Sequence, residues 1–549
     1  MCRETILIFA VTLTVWGQRP EGRATASIRG RVLNSVTGEP VPNANVESGN
    51  ASSKTDTQGS YLLKDVTAGS MEVRAVSGRD GRTPFMFASR QIALTAGNDI
   101  SSFDLRLTPP GQITGRVVDE NNEPMSGMRV WLVAREYARG ALRYVLAANG
   151  QTDGEGKYRI TFGTVVPDRG YLVMVQITPQ LGIAVPDNPA LRKPIAPPTF
   201  YPGTTLIDAA QVVMARAGEV RERIDIPVFR RPALCIEGHV FAAPTPDPIT
   251  VEISPEQPTF GESGTGGMYG SSPFNVEAGP DGAMRYCGLP PGTYNLTARQ
   301  WPRNLEHPTL QGSSQVTLSN LDLKDINVAA VPMIPLPGEI LWDGPTPGRS
   351  ETNSSADARL HLVIRSLTNG VWSGMKMDAD VSVPGRFLFD GLFVDDYRYE
   401  IFDLDKNFYL KEITYDGHSV KHEAIRLGSA RGTASLRVVI ASDGGFIQVK
   451  ATDMDGAPVA DSNVIVIPAS MRSEAAVADT YVTGQTDQNG DYKSAALAPG
   501  KYYVAAFRTA PDKSPETIAK LVTACNRVDP VDIGPGATIQ IRVIQRELR

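Results

Sequence analysis

Apolar and polar residues alternate in short runs along most of the chain, and Gly, Pro, Asn and Asp separate the runs. A period of two places every second side chain on one face, which predicts half-buried antiparallel strands; a helix would space its apolar positions by three and four. Three stretches open alike: IRGRVLNSVTGEPVPNANV at 28–46, ITGRVVDENNEPMSGMRVWLV at 113–133 and a degenerate IQVKATDMDGAPVADSNVIVI at 447–467. Alternation on both sides of a polar turn predicts a hairpin in each. A second element recurs after them: TDTQGSYLLKDVTAG at 55–69, TDGEGKYRI at 152–160, PDGAMRYCGLPPGTY at 280–294 and TDQNGDYKSAALAPGKY at 486–502. It reads as Asp, a short turn, Gly, a strand, then often Pro-Gly and another strand. Closing strands follow, as FDLRLTPPG, IDIPVFRRP, INVAAVPM, LRVVIASDGG and IQIRVIQREL.

Division at the closing strands gives units at 27–110, 111–232, 233–334, 335–445 and 446–549, the fourth being the most degenerate. Several short strands per unit predict an all-β chain, a tandem array of five Ig-like or transthyretin-like antiparallel β-sandwich domains. The joints are only PPG or SDGG long, which predicts an extended, semi-rigid rod. One segment has helical spacing: SPETIAKLVTACNRV at 514–528, with Ser514 as N-cap, Pro515 in the first turn and Ile518, Leu521, Val522 and Cys525 on one face. It is expected to cover the last sandwich. The Pro-rich stretch AVPDNPALRKPIAPPTFYPG at 184–203 reads as a long loop of the second unit.

The stretches GRVLNSVTGEPVPNANV with TDTQGSYLL, and GQTDQNGDYKSAALAPGKYYVAA, resemble the carboxypeptidase regulatory-like domain, a transthyretin-like sandwich grouped with carbohydrate-binding-like folds. The resemblance is good in units one, two and five, partial in three and weak in four. FYPGTTLIDAAQVVMARAGEVRERIDI at 200–226 and ITYDGHSVKHEAIRL resemble stretches of multi-domain exported bacterial proteins that carry such modules. It implies a fold and an exported location. It implies no activity, because such modules stand beside peptidases and in outer-membrane receptors alike.

A chain of 549 residues exceeds what one core supports, and its 51 Gly and 41 Pro favour turns over long helices. The formal charge is −6, from 54 basic and 60 acidic residues spread along the chain, which excludes a phosphate-binding stripe and so a nucleic-acid partner. At the N-terminus Arg3 precedes an apolar run from Thr5 to Trp16, then Ala24-Thr25-Ala26. This predicts a signal peptide over 1–26 and export to the periplasm, cell surface or medium. The run falls short of the ~20 residues a membrane span needs. Cys2 leaves with the signal. Cys235 and Cys287 lie in predicted strands of one unit, each out of phase with its core residues; a disulfide and two free thiols both remain open, because the sequence does not give their separation.

Candidate chemistry is sparse. A zinc peptidase needs a His-x-x-Glu pair and a later His, and none of His239, His307, His361, His418 or His422 has Glu three residues on. His418 and His422 have i, i+4 spacing, but an Asp-Gly turn and β alternation around them place the pair beside a turn. FGESGTGGMYGSS at 260–272 lacks the Lys-Ser/Thr of a P-loop, and Thr265 breaks a Gly-x-Ser-x-Gly elbow, so it reads as a loop. Asp395-Asp396 and Asp403 with Asp405 are read as acids of solvated turns, not a glycosidase pair.

In DQNGD, Asp487, Asn489 and Asp491 alternate like calcium ligands, yet the last two positions become Gln58 and Ser60, or Glu155 and Lys157, in other copies. Tyr492 also stands where an EF-hand requires Gly. A turn built on Asp487 and Gly490 is therefore expected. No catalytic, metal or cofactor-binding residue is assigned, and no cofactor. The expected function is a non-catalytic exported spacer or interaction scaffold of the cell envelope, with an unknown protein or glycan partner. The alternative is a carbohydrate-binding module, to which Trp131, Trp301, Trp342 and Trp372 are candidates to contribute.

Overall fold

The computed structural model describes residues 25–78, 86–160, 168–176, 186, 188–242, 247–256, 274–300, 309–344, 358–367, 377–428 and 434–548. The leader over 1–26, all but its last two residues, and the Gly-rich run at 260–272 lie outside them.

Each opening strand sits between two partners of opposite direction. Thr25–Asn34 runs antiparallel to Ser60–Thr67 and parallel to Leu105–Leu107. Gln112–Asp119 does the same with Lys157–Ile160 and Ile226–Val228, and Leu234–Ala242 with Ala283–Leu289 and Leu323–Pro332. Ile334–Asp343 pairs with Gly385–Leu392 and Leu436–Ala441. Phe446–Thr452 pairs with Asp491–Lys493 and Thr538–Arg546. The pairing is the same in the fourth copy, whose sequence is the most diverged.

The three predicted hairpins are not hairpins. The chain doubles back for a single bridge, Leu33 to Pro40, Val118 to Pro124 and Thr452 to Pro458, and then crosses to the opposing sheet. Asn45–Ser48, for example, pairs with Ala51–Lys54 and Gly69–Ser77 instead of Thr25–Asn34. Alternation fixes which side chains turn inward, and inward faces on two sheets satisfy it as well as a hairpin does. Val32 and Val46 thus meet in one apolar cluster, as do Val117 with Val130 and Val449 with Val464.

In the second repeat, strand Arg129–Ala138 is buried on both faces. One face joins the central core; the other carries Trp131 and Val133, which pack with Leu172, Met174 and Phe200 beneath Ile207 and Ala210. The end of the Pro-rich stretch, Thr199–Phe200, thus joins the edge of the sheet, and the residues that follow it fold over the face. In the last repeat two helices cover a sheet face: α1, Glu474–Thr480, and α2, Pro515–Cys525. Ser514 caps α2 by accepting the Thr517 N–H, and Pro515 stands in its first turn. Ile518 and Leu521 pack on Ile465, Ile467 and Phe507.

The repeats do not form a rod. The last repeat touches the first through Arg90 and Asp461, 2.6 Å apart. It touches the second where the Tyr137 hydroxyl donates to Glu474 at 2.5 Å, and the fourth where the Ala496 N–H donates to Lys406 O at 2.7 Å. Arg143 of the second repeat reaches Leu367 O of the fourth at 3.3 Å. The joints are short, as the sequence requires, but short joints set only how neighbours connect. Side-chain complementarity between non-neighbours folds the chain back.

Candidate functional site

The turn that looked like a ligand set is held from within. Asp487 Oδ1 accepts the N–H groups of Asn489 and Asp491 at 2.8 and 2.9 Å. Asp56 does this for Gln58 and Ser60, both at 2.8 Å, and Asp153 for Glu155 and Lys157, both at 2.9 Å. A carboxylate accepting two backbone donors closes the turn and leaves that oxygen committed. Asp491 pairs with Lys450 at 3.0 Å. Gly490 has φ +80°, and a Cβ there would stand 2.8 Å from Ala451 O. The side chain of Gln488, between them, leaves its own repeat: its Nε2 donates to Ala93 O at 2.8 Å and its Oε1 accepts the Ala93 N–H at 3.0 Å.

The residue before each Asp is Thr, and its role was not read from the sequence. Thr486 Oγ1 donates to Val459 O at 3.0 Å and accepts the Ser462 N–H at 2.9 Å. Thr55 bridges Val41 O and the Ala44 N–H, and Thr152 bridges Met125 O and the Met128 N–H, with distances of 2.7–2.8 Å. Each hydroxyl ties the Asp turn to the segment that crosses between the sheets. The recurrence of Thr-Asp in three copies was the available signal.

Tyrosine has two uses. Tyr61 and Tyr158 donate to Phe103 O and Ile224 O, both at 2.6 Å. Those carbonyls come so near the opening strand that a Cβ on Gly30 or Gly115 would lie 2.0 Å from them. Burial raises both hydroxyls far above the ordinary tyrosine range. In PPGTY and APGKY, Tyr294 and Tyr502 donate to the carbonyl four residues back, Pro290 O at 2.7 Å and Ala498 O at 2.6 Å. These are tyrosine corners, which pin the entry of a strand.

Cys235 and Cys287 lie opposite each other in the register and are joined by a disulfide. The Cys235 N–H donates to Asp322 at 2.9 Å. Asp322 also receives a fork from Arg192 of the second repeat at 2.6 and 2.8 Å, and these bonds hold its carboxyl below the usual carboxylate range. Cys525 stands apart on α2, and burial pushes its thiol up to about 11.

His418 lies in a short strand opposite Tyr415, across the turn at Asp416 and Gly417; His422 follows that strand. Among the described residues, no group of three or more His, Cys, Asp or Glu side chains is placed to hold a metal ion. No helix of those residues is long and apolar enough to cross a membrane. Trp131 is buried and Trp342 packs edge-on against Phe408 at 4.7 Å; Trp301 and Trp372 lie outside the described residues.

Residues 27–108 match the carboxypeptidase regulatory-like domain, so the first repeat carries a module of that kind. A comparison with curated proteins returned no match. Among solved structures, the Bacillus anthracis TIE protein aligns at 10% identity over 93% of this chain and 76% of its own, with a TM-score of 0.16. A streptococcal ancillary pilin aligns at 14% over 56% and 99%, TM-score 0.19. The minor pilin GBS52 of Streptococcus agalactiae aligns at 12% over 44% and 100%, also 0.19. Superposition this poor carries no function from those proteins to this one.

Proposed function

We propose that the chain is a non-catalytic exported scaffold, composed of β-sandwich domains at 27–110, 111–232, 233–334, 335–445 and 446–549, that presents interaction surfaces at the cell envelope. One observation carries the reading: the polar residues most suggestive of chemistry are consumed by the fold. Asp56, Asp153 and Asp487 close turns, Thr55, Thr152 and Thr486 tie those turns to the crossover, and Tyr61 and Tyr158 lock the closing strand. The matched module at 27–108 is in keeping with an accessory role. A disulfide within the third repeat fits an oxidising compartment.

The test is direct. The chain expressed with its leader is recovered from outside the cytoplasm, sequenced from its N-terminus, and applied to a glycan array and to peptidase and glycosidase substrates. Expected are a start at Ser27, no turnover and no glycan retention. Reproducible glycan binding, abolished by changing one exposed Trp or Tyr, would replace the scaffold with a carbohydrate-recognition module; turnover would end both readings.

A further inference from the structure

We propose that the contact between the first and last repeats is a reversible latch, and that the contact between the second and last repeats is the fixed joint against which it opens. The two contacts differ in kind. None of the apolar clusters among the described residues joins the first repeat to the last. Their described contacts are polar: the Gln488 amide on both backbone groups of Ala93, and the Arg90–Asp461 ion pair.

Both halves of the latch are set before they meet. Arg90 lies over the Phe103 ring at 4.3 Å and donates to Asp104 O at 2.6 Å, so its guanidinium is aimed by its own repeat. Gln488 is carried on the Asp487 turn, which is closed by its own hydrogen bonds. Ala93 belongs to Met86–Leu94, an edge strand of its sheet, whose outward N–H and C=O a neighbouring strand would otherwise take. The side-chain amide supplies the same donor and acceptor. When it withdraws, water replaces it on both sides, so release strands no buried polar group.

The joint to the second repeat is sealed by apolar contact. Tyr137 packs into the cluster of Ile465, Ile467, Ile518 and Leu521 beneath the helices. Its N–H donates to Lys513 O at 2.8 Å, and Arg169 reaches both Glu136 at 2.8 Å and Asp512 at 3.7 Å. Separation there would return apolar surface to water. Residues 108–111, between the first and second repeats, belong to no strand, so no strand ladder runs across that connection.

Spin-label distances test the latch in the mature chain with Cys525→Ser as background. One pair is placed at the exposed Lys54 and Lys501, spanning the latch; the other at the exposed Arg159 and Lys501, spanning the joint. In the parent both distance distributions are narrow. In the double variant Arg90→Ala with Gln488→Ala, the Lys54–Lys501 distribution lengthens and broadens, while Arg159–Lys501 keeps its mean and width. Raising the salt from 0.05 to ~1 M moves the parent the same way, because screening reaches the exposed side of the ion pair. A Lys54–Lys501 distribution unchanged in the double variant, one already broad in the parent, or equal broadening of both pairs would each overturn the proposal.

Discussion

Thr486 offers the sharpest single-residue test. Its hydroxyl is the partner of the Ser462 N–H, and Ser462 is fully buried. Thr486→Val keeps the shape and strands that donor, so denaturant unfolding of the last repeat should lose about 1–3 kcal/mol. Gly115→Ala should cost at least as much, because a Cβ 2.0 Å from Ile224 O forces the closing strand away and breaks the Tyr158 hydrogen bond with it. Asp461 behaves differently. Burial raises its pKa despite Arg90, and its Oδ1 has no hydrogen-bond partner. The share of that burial supplied by the first repeat makes the docked form hold the proton more firmly than the open form. Docking is therefore favoured below the ordinary aspartate range and weakens as pH rises through the raised value. Asp461→Asn should remove this dependence and, because it removes the ion pair, the response to salt with it. Arg90→Ala, which leaves a charge buried without its partner, should open it. A latch in the parent that does not loosen as pH rises from the ordinary aspartate range toward neutrality would contradict this. The sequence announced the Asp and Gly of these turns because each acts on its own backbone; Thr486 and Gln488 act on residues 24–27 and 395 positions away, and one sequence does not display those partners.

At the scale of elements, α2 was legible because its cap, its proline and its apolar spacing agree. α1 was not: seven residues make too few turns for a periodicity to stand out among short strands. Leu521, 1% exposed, fastens α2 to the sheet, and Leu521→Ala should cost about 2–5 kcal/mol and loosen the joint with the second repeat. Cys525 on the same helix has its thiol raised to about 11, so it should alkylate far more slowly at pH 8 than an unfolded cysteine; rapid labelling of the native chain would show the helix undocked. The crossover from the first strand to the second escaped the alternation pattern for a related reason. The period says which side faces the core and nothing about which sheet a strand has joined.

For the whole molecule, the recurring topology was readable from the repeats and the folded-back arrangement was not. It depends on pairs such as Arg143 with Leu367 O and Arg90 with Asp461, which join surfaces whose contact no local pattern encodes. Small-angle scattering should accordingly give a particle shorter than five sandwiches placed end to end; a rod-like distance distribution would contradict the interfaces described above. The parallel pairing of first and last strands has a mechanical meaning. Two parallel neighbours have their outer ends at opposite ends of the ladder, so a pull on both loads its hydrogen bonds together, in shear, instead of unzipping them one by one. Under tension between its ends the chain would first give way at the polar latch, at low force. It would then meet the shear clamps in series, yielding slack before strength, as a tether does.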